Sequence, residues 1–266
     1  MLSDDLQAAL AGRTGLAGVY FEDLADGETL ALHADEPFPG ASVIKVPLLV
    51  EIMRRAAAGE LDLAQTLHFP LNEDRFRETD SSGILTHLTS PVTLSLRDLC
   101  LLMIIESDNV ATNALYDLAP DANQTLAGLG LTRTRLTHPI RDFPRLRADD
   151  ANPVTAREIG ALYRDIYHSR LPNSALMLEI LTEQHAASLM PALLLDDETL
   201  VFAHKTGSVK GVLHDTGLIL GPGWAAVLCL LSKRNPARVP AGQALAEAAR
   251  LVVEYLRAKH SPPRAA

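Results

Sequence analysis

Apolar positions recur along this chain with two different periods, and the period changes with position. Residues 16–24 (LAGVYFEDL) and 28–33 (ETLALH) read as two strands of a hairpin that turns at Asp26-Gly27. Residues 43–58 (VIKVPLLVEIMRRAAA) carry apolar residues at helical spacing, and Gly59 ends the run. Pro47 is compatible with that helix because it falls in the first turns, where a missing N–H costs no intrahelical bond. A second helix is predicted over 95–106, where Ser95 and Asp98 make a start like a capping box. Others are predicted over about 110–118, from Thr155 with Glu158 to about 168, and over 174–184. After residue 198 the runs TLVFAHKT, DTGLIL and WAAVLCLLS are β-rich and separated by Gly or Pro, and 241–258 reads as an amphipathic terminal helix.

Strands therefore lie at both ends of the chain and helices fill the middle. The economical architecture is an α/β plus all-α fold of two lobes. The terminal strands form one antiparallel sheet with helices on its faces, and the middle forms a helical subdomain. The expected division is 1–41 plus 196–266 for the sheet lobe and 42–195 for the helical lobe, in one structural unit with a cleft between them.

Composition narrows the functions open to such a fold. A chain of 266 residues with 47% hydrophobic content is long enough for a large core in one or two domains. A net charge of −9 argues against nucleic-acid binding, which needs a basic face. Cys100 and Cys229 lie in apolar runs and read as buried free thiols rather than a disulfide. The start, MLSDDLQAALAG, has no basic segment and no long apolar stretch. The expected location is cytoplasmic if that N-terminus is native, and periplasmic or secreted if a leader was trimmed. No uninterrupted apolar run reaches the ~18 residues of a membrane span. The nine histidines show no metal-binding spacing, so no metal is expected.

Three short motifs fall at the borders of the two halves. Ser42-Val43-Ile44-Lys45 sets an amine one helical turn from a hydroxyl, at a helix start whose N–H groups favour a developing oxyanion. A serine hydroxyl needs a base, and a lysine serves as one if burial or a nearby cation such as Lys205 lowers its pKa. Alone, this spacing is weak: it arises by chance about once in a chain of this length. Ser107-Asp108-Asn109 follows an apolar helix end; these are ordinary cap and loop residues, or else a proton relay (Ser107), a loop brace (Asp108) and a holder of a substrate amide (Asn109). Lys205-Thr206-Gly207-Ser208 ends a strand. Lys205 and Thr206 suit a substrate carboxylate, and Gly207 leaves room for substrate beside the strand. The Ser208 N–H could join that of Ser42 as an oxyanion donor. All three in this order should coincide in roughly one chain in a few hundred or fewer.

Together the motifs resemble class A β-lactamases and the penicillin-recognising serine hydrolases, in which S-x-x-K, S-D-N and K-T-G occur as a set. The phrases Gly59-Glu60-Leu61-Asp62 and His214-Asp215-Thr216-Gly217 extend the resemblance over nearly the whole chain. It implies a two-lobed β-lactamase-like fold without metal or cofactor. It also implies that Ser42 is the acylated serine, Lys45 its partner and Ser107 a further catalytic group. Asn109, Lys205, Thr206, Gly207 and Ser208 would surround the bound lactam. His214 falls roughly where class A enzymes often place an arginine for the substrate carboxylate.

One element departs from the family. Class A enzymes carry Arg-x-Glu-Pro, whose glutamate activates the deacylating water; here the stretch is Arg141-Asp142-Phe143-Pro144. Asp142, Asp149 and Asp150 are candidate surrogates, although a solvated loop acid is the commoner role for each. The expected function is therefore acyl transfer through Ser42 onto a β-lactam, or a related amide or ester with a carboxylate, with slow deacylation. A D-Ala-D-Ala peptidase or esterase using the same nucleophile is the first alternative, and a non-catalytic penicillin-binding module the second. The expected partner is a small molecule, and the expected state a monomer.

Overall fold

In the computed structural model, which describes residues 1–70, 82–140 and 151–261, the N-terminal hairpin forms where the pattern puts it. Strand β1 (Leu16–Asp23) pairs antiparallel with β2 (Thr29–Leu32). The three C-terminal strands, β7 (Val201–Val209), β8 (Val212–Gly221) and β9 (Trp224–Lys233), complete one antiparallel sheet in the order β2-β1-β9-β8-β7. The two chain ends are joined through β1 and β9, in register from Leu16 opposite Lys233 to Asp23 opposite Ala226.

Both faces of this sheet are covered. Val227, Cys229 and Leu231 of β9 enter one core with the helical half, while Ala226, Leu228 and Leu230 enter a second core under α8 (Arg238–His260). All ten residues of β9 are buried, which is why its sequence reads as a continuous apolar run rather than an alternation. The second core also takes Leu6 and Leu10 from α1 (Leu2–Leu10), a helix the hydrophobic pattern did not announce. Cys100 and Cys229 are unpaired and buried. Among the described residues, no helix is long and apolar enough to cross a membrane.

The middle of the chain supplies the helices of the first core. A 3-10 turn (Ala41–Ile44) leads into α2 (Lys45–Ala57), so the α-helix starts two residues later than the pattern predicts. Helix α3 (Leu96–Ile105) begins with the expected capping box, Ser95 and Asp98 satisfying each other's backbone N–H groups. Helices α4 (Asn109–Asp117), α5 (Ala122–Gly128), α6 (Ala156–Tyr167) and α7 (Ser174–Thr182) follow, α6 capped by Thr155, which accepts the Glu158 N–H at 3.2 Å. Two small ribbons went unread: β3 (Phe38–Pro39) pairs with β6 (Pro153–Val154), and β4 (Thr66–Phe69) with β5 (Val92–Ser95). Helix α6 lies against β1, β8 and β9, and the 3-10 turn lies against β7 and β8. That last contact brings Ser42 to the sheet.

Candidate active site

Ser42 sits inside the 3-10 turn rather than at the start of the α-helix. The residue before it, Ala41, has φ of 44°, a left-handed conformation that costs a residue with a side chain on the order of 1 kcal/mol or more. Strand β7 runs directly against this turn. A Cβ at Gly207 would meet the Val43 nitrogen at 3.0 Å and the Ser42 nitrogen at 3.1 Å, so the glycine permits the approach.

Lys45, the first residue of α2, is completely buried, and its position is fixed by the loop between α3 and α4. Its Nζ lies 2.6 Å from the Ser107 carbonyl, 2.9 Å from the Ser107 hydroxyl and 2.9 Å from Asn109 Oδ1. Carbonyl and amide oxygens only accept, whereas a hydroxyl also donates. Three oxygens therefore face the nitrogen; an ammonium fills them with three N–H groups, and a neutral amine donates to two of them. Burial pushes the Lys45 pKa well below the usual lysine range, the nearby Lys205 pushes it further, and Asp108 opposes them.

The Ser107-Asp108-Asn109 loop is itself clamped. Ser107 has a left-handed φ of 55°. Asp108, fully buried, caps α4 by accepting the Ala111 N–H at 3.0 Å and accepts the Leu85 N–H at 2.8 Å with its other oxygen. Gly83, at φ 103°, lets its segment cross this residue, because a Cβ there would lie 2.3 Å from Asp108 Cα. The Asn109 N–H donates to the Ser82 carbonyl at 3.0 Å. Asp108 thus braces the loop.

On β7, Lys205 is fully buried and donates to the Thr206 carbonyl at 3.0 Å. Burial pushes its pKa down to about 7, against the pull of Asp215. Thr206 is half-buried and Ser208 is exposed. His214 is fully buried, and both ring nitrogens are engaged by backbone: Nε2 is 2.7 Å from the Pro39 carbonyl and Nδ1 3.1 Å from the Ser232 N–H. Position 214 falls on a strand with a neighbour on each side, and its ring reaches the segment that precedes Ser42. A buried pair that the sequence reading did not single out lies alongside: Asp215 contacts His204 Nδ1 at 2.8 Å and accepts the Met190 N–H at 2.8 Å. The phrase His214-Asp215-Thr216-Gly217 was its only sequence signal. Phe143, Asp142, Asp149 and Asp150 lie outside the described residues.

The one grouping of acidic side chains among the described residues with metal-like spacing is Asp23, Asp26 and Glu28. Lys259 Nζ already stands among them, at 2.7, 2.8 and 2.6 Å respectively. Around Ser42, the described residues thus bring together hydroxyls, an amide and two buried lysines of depressed pKa.

Comparison with known proteins gives the family and the fold. The Beta-lactamase enzyme family matches residues 1–256. A β-lactamase of Streptomyces albus G is 29% identical over 256 residues, covering 90% of this chain and 79% of that protein. The β-lactamase regulatory protein BlaB of Streptomyces cacaoi is 28% identical over 151 residues, 56% of this chain; the chain spans about half (47%) of that protein's length. Among solved structures, the β-lactamase of Sphaerobacter thermophilus superposes with a TM-score of 0.84 at 27% identity, covering 98% of both chains. PBP-A superposes at 0.85 with 26% identity, covering 97% of this chain and 96% of that one. The chain belongs to the β-lactamase enzyme family, as a serine hydrolase of β-lactamase type.

Proposed function

We propose that the protein opens β-lactam amides through an acyl-enzyme on Ser42 and releases the acyl group slowly. The observation that carries this reading is Lys45: buried, depressed in pKa by burial and by Lys205, and held by Ser107 and Asn109. Neutral Lys45 takes the Ser42 proton as the hydroxyl attacks the lactam carbonyl. Ser107, within reach of Lys45, passes a proton to the leaving nitrogen. The N–H groups of Ser42 and Ser208 bind the oxyanion, Lys205 and Thr206 hold the carboxylate, and Asn109 holds the substrate amide.

Slow release follows from Phe143 standing where the water-activating glutamate is expected. A positioned base is worth roughly 10²–10⁴-fold, or about 3–5.5 kcal/mol of barrier. PBP-A supports the acyl-enzyme part of this reading, since its L158E mutant was solved as an acyl-enzyme complex with penicillin G.

Intact-protein mass spectrometry over time, with a penicillin and separately a cephalosporin, tests the proposal. Wild type forms a persistent adduct and Ser42→Ala forms none. A transient adduct with accumulating product means efficient water activation by another group. Absence of any adduct sinks the lactam reading. A second reading keeps the same nucleophile, a D-Ala-D-Ala peptidase or esterase. It is distinguished by acylation from a D-Ala-D-Ala peptide or thioester but not from lactams.

A further inference from the structure

The segment that delivers Ser42 to the sheet is tied down on both sides. On the sheet side, Lys233 Nζ donates to the Pro37 carbonyl and contacts Glu36 Oε1, each at 2.8 Å. On the other side, the Gly40 N–H donates to the Asn152 carbonyl at 3.0 Å. Between them is His214, whose Nε2 lies 2.7 Å from the Pro39 carbonyl, three residues before Ser42. Its ring also packs edge-on against Phe38, with centroids 6.1 Å apart.

The surroundings of the ring select one tautomer. Nδ1 is 3.1 Å from the Ser232 N–H and 2.9 Å from the Leu213 carbonyl; Nε2 faces only the Pro39 carbonyl. With the proton on Nε2, the ring donates to Pro39 and accepts from Ser232, making two bonds and leaving one repulsive contact, the Nδ1 lone pair against the Leu213 carbonyl; the Nδ1–H form has two, at Pro39 and at the Ser232 N–H. With the proton on Nδ1, it makes one bond, to its own neighbour, and sets a bare lone pair against the Pro39 oxygen. Full burial pushes the pKa down to about 4, against the Pro39 and Leu213 carbonyls that raise it, and so disfavours the doubly protonated ring at neutral pH.

We propose that His214 is a positioning residue for Ser42: as the Nε2–H tautomer it bridges the Ser232 N–H of β9 to the Pro39 carbonyl and fixes the turn that carries the nucleophile. Ala41 is held left-handed one residue before Ser42, so the turn depends on its surroundings to stay in place. Displacement of a reacting group by about 1 Å costs on the order of 10²-fold in rate. The catalytic consequence rests on the reading of Ser42 as the acylated residue; the structural claim does not.

Two variants separate the contacts. The Gln side chain reaches as far as Nε2, so His214→Gln keeps a donor for Pro39. The Asn side chain reaches only as far as Nδ1, so His214→Asn keeps the Ser232 contact and loses Pro39. Hydrogen exchange read by mass spectrometry is expected to show faster deuterium uptake over residues 40–46 in His214→Asn, and uptake near wild type in His214→Gln. Acylation by benzylpenicillin is expected to slow roughly 10–100-fold in His214→Asn and to stay within about threefold in His214→Gln. A third measurement needs no folded variant: ¹⁵N NMR of histidine-labelled wild type, expected to find the buried ring protonated at Nε2 and bare at Nδ1. A proton on Nδ1, equal protection of residues 40–46 in wild type and both variants, or equal loss in both variants overturns the inference. If wild type is not acylated at all, the proposed function fails while the tautomer and the exchange data still decide this one.

Discussion

Lys45 Nζ lies 2.6 Å from the Ser107 carbonyl and 2.9 Å from the Ser107 hydroxyl, so a single residue both anchors the amine and offers it a proton path. The path depends on the amine rather than on the bulk of the side chain. Lys45→Met keeps the length and removes the nitrogen, and taking this donor from the Ser107 carbonyl and Asn109 Oδ1 costs on the order of 1–3 kcal/mol. This variant is expected to fold and to lose roughly 10²–10⁴-fold in acylation rate, measured by stopped-flow or time-resolved mass spectrometry. A rate within a few-fold of wild type would remove Lys45 from the mechanism.

Lys205 gives a pH dependence with a definite sign. Its pKa is pushed down to about 7 by burial, so the ammonium proposed to bind a substrate carboxylate is present below pH 7 and lost as the pH rises through it. The second-order acylation constant, which reports groups of the free enzyme, is expected to fall on the alkaline side from about pH 7 upward. Lys205→Arg keeps its charge at all these values and is expected to move the fall beyond pH 9 or so. Because the folded pKa is depressed, the same group favours folding most above the unfolded value near 10.5 and less as the pH falls towards 7. An alkaline limb unchanged in Lys205→Arg would assign it to another group.

Asp108 joins the loop to two backbone donors, the Leu85 and Ala111 N–H groups. Asp108→Asn can accept only one of them with its oxygen and turns an amide donor towards the other. The cost expected for the charge-assisted bond is about 2 kcal/mol, a drop of roughly 4–8 °C in Tm by calorimetry. Acylation should fall in parallel, because Ser107 and Asn109 flank the displaced residue.

Phe143→Glu restores the family's water-activating residue at the position where the motif places it. Deacylation is expected to quicken roughly 10²–10⁴-fold, turning a persistent penicillin adduct into turnover. The basis is the motif alone, position 143 lying outside the described residues. An adduct equally long-lived in both proteins would mean that the glutamate needs partners this chain lacks.

Much of the local structure was legible because its causes are local. The Ser95–Asp98 capping box, the Thr155 cap and the hairpin at Asp26-Gly27 each join residues a few positions apart, and each forms where the pattern predicts. The N-terminal helix and the short ribbons escaped because what stabilises them is distant: Leu6 and Leu10 are buried only once the C-terminal helix lies over the sheet. His214 shows the same limit at the site. Its place on a strand was readable, but its occupation depends on the Pro39 carbonyl 175 positions earlier in the chain.

By itself, the sequence determined the order of the elements and the chemical types in the cleft, since a hydroxyl, an amine and a glycine are properties of residues. Only the tertiary structure decided that Lys45 and Lys205 are buried together, that Ser107 meets Lys45, and that β7 runs against the turn at Ser42. Depressed pKa values and short contacts arise from desolvation by segments far apart in the chain, and no local pattern of residues encodes which segments those will be.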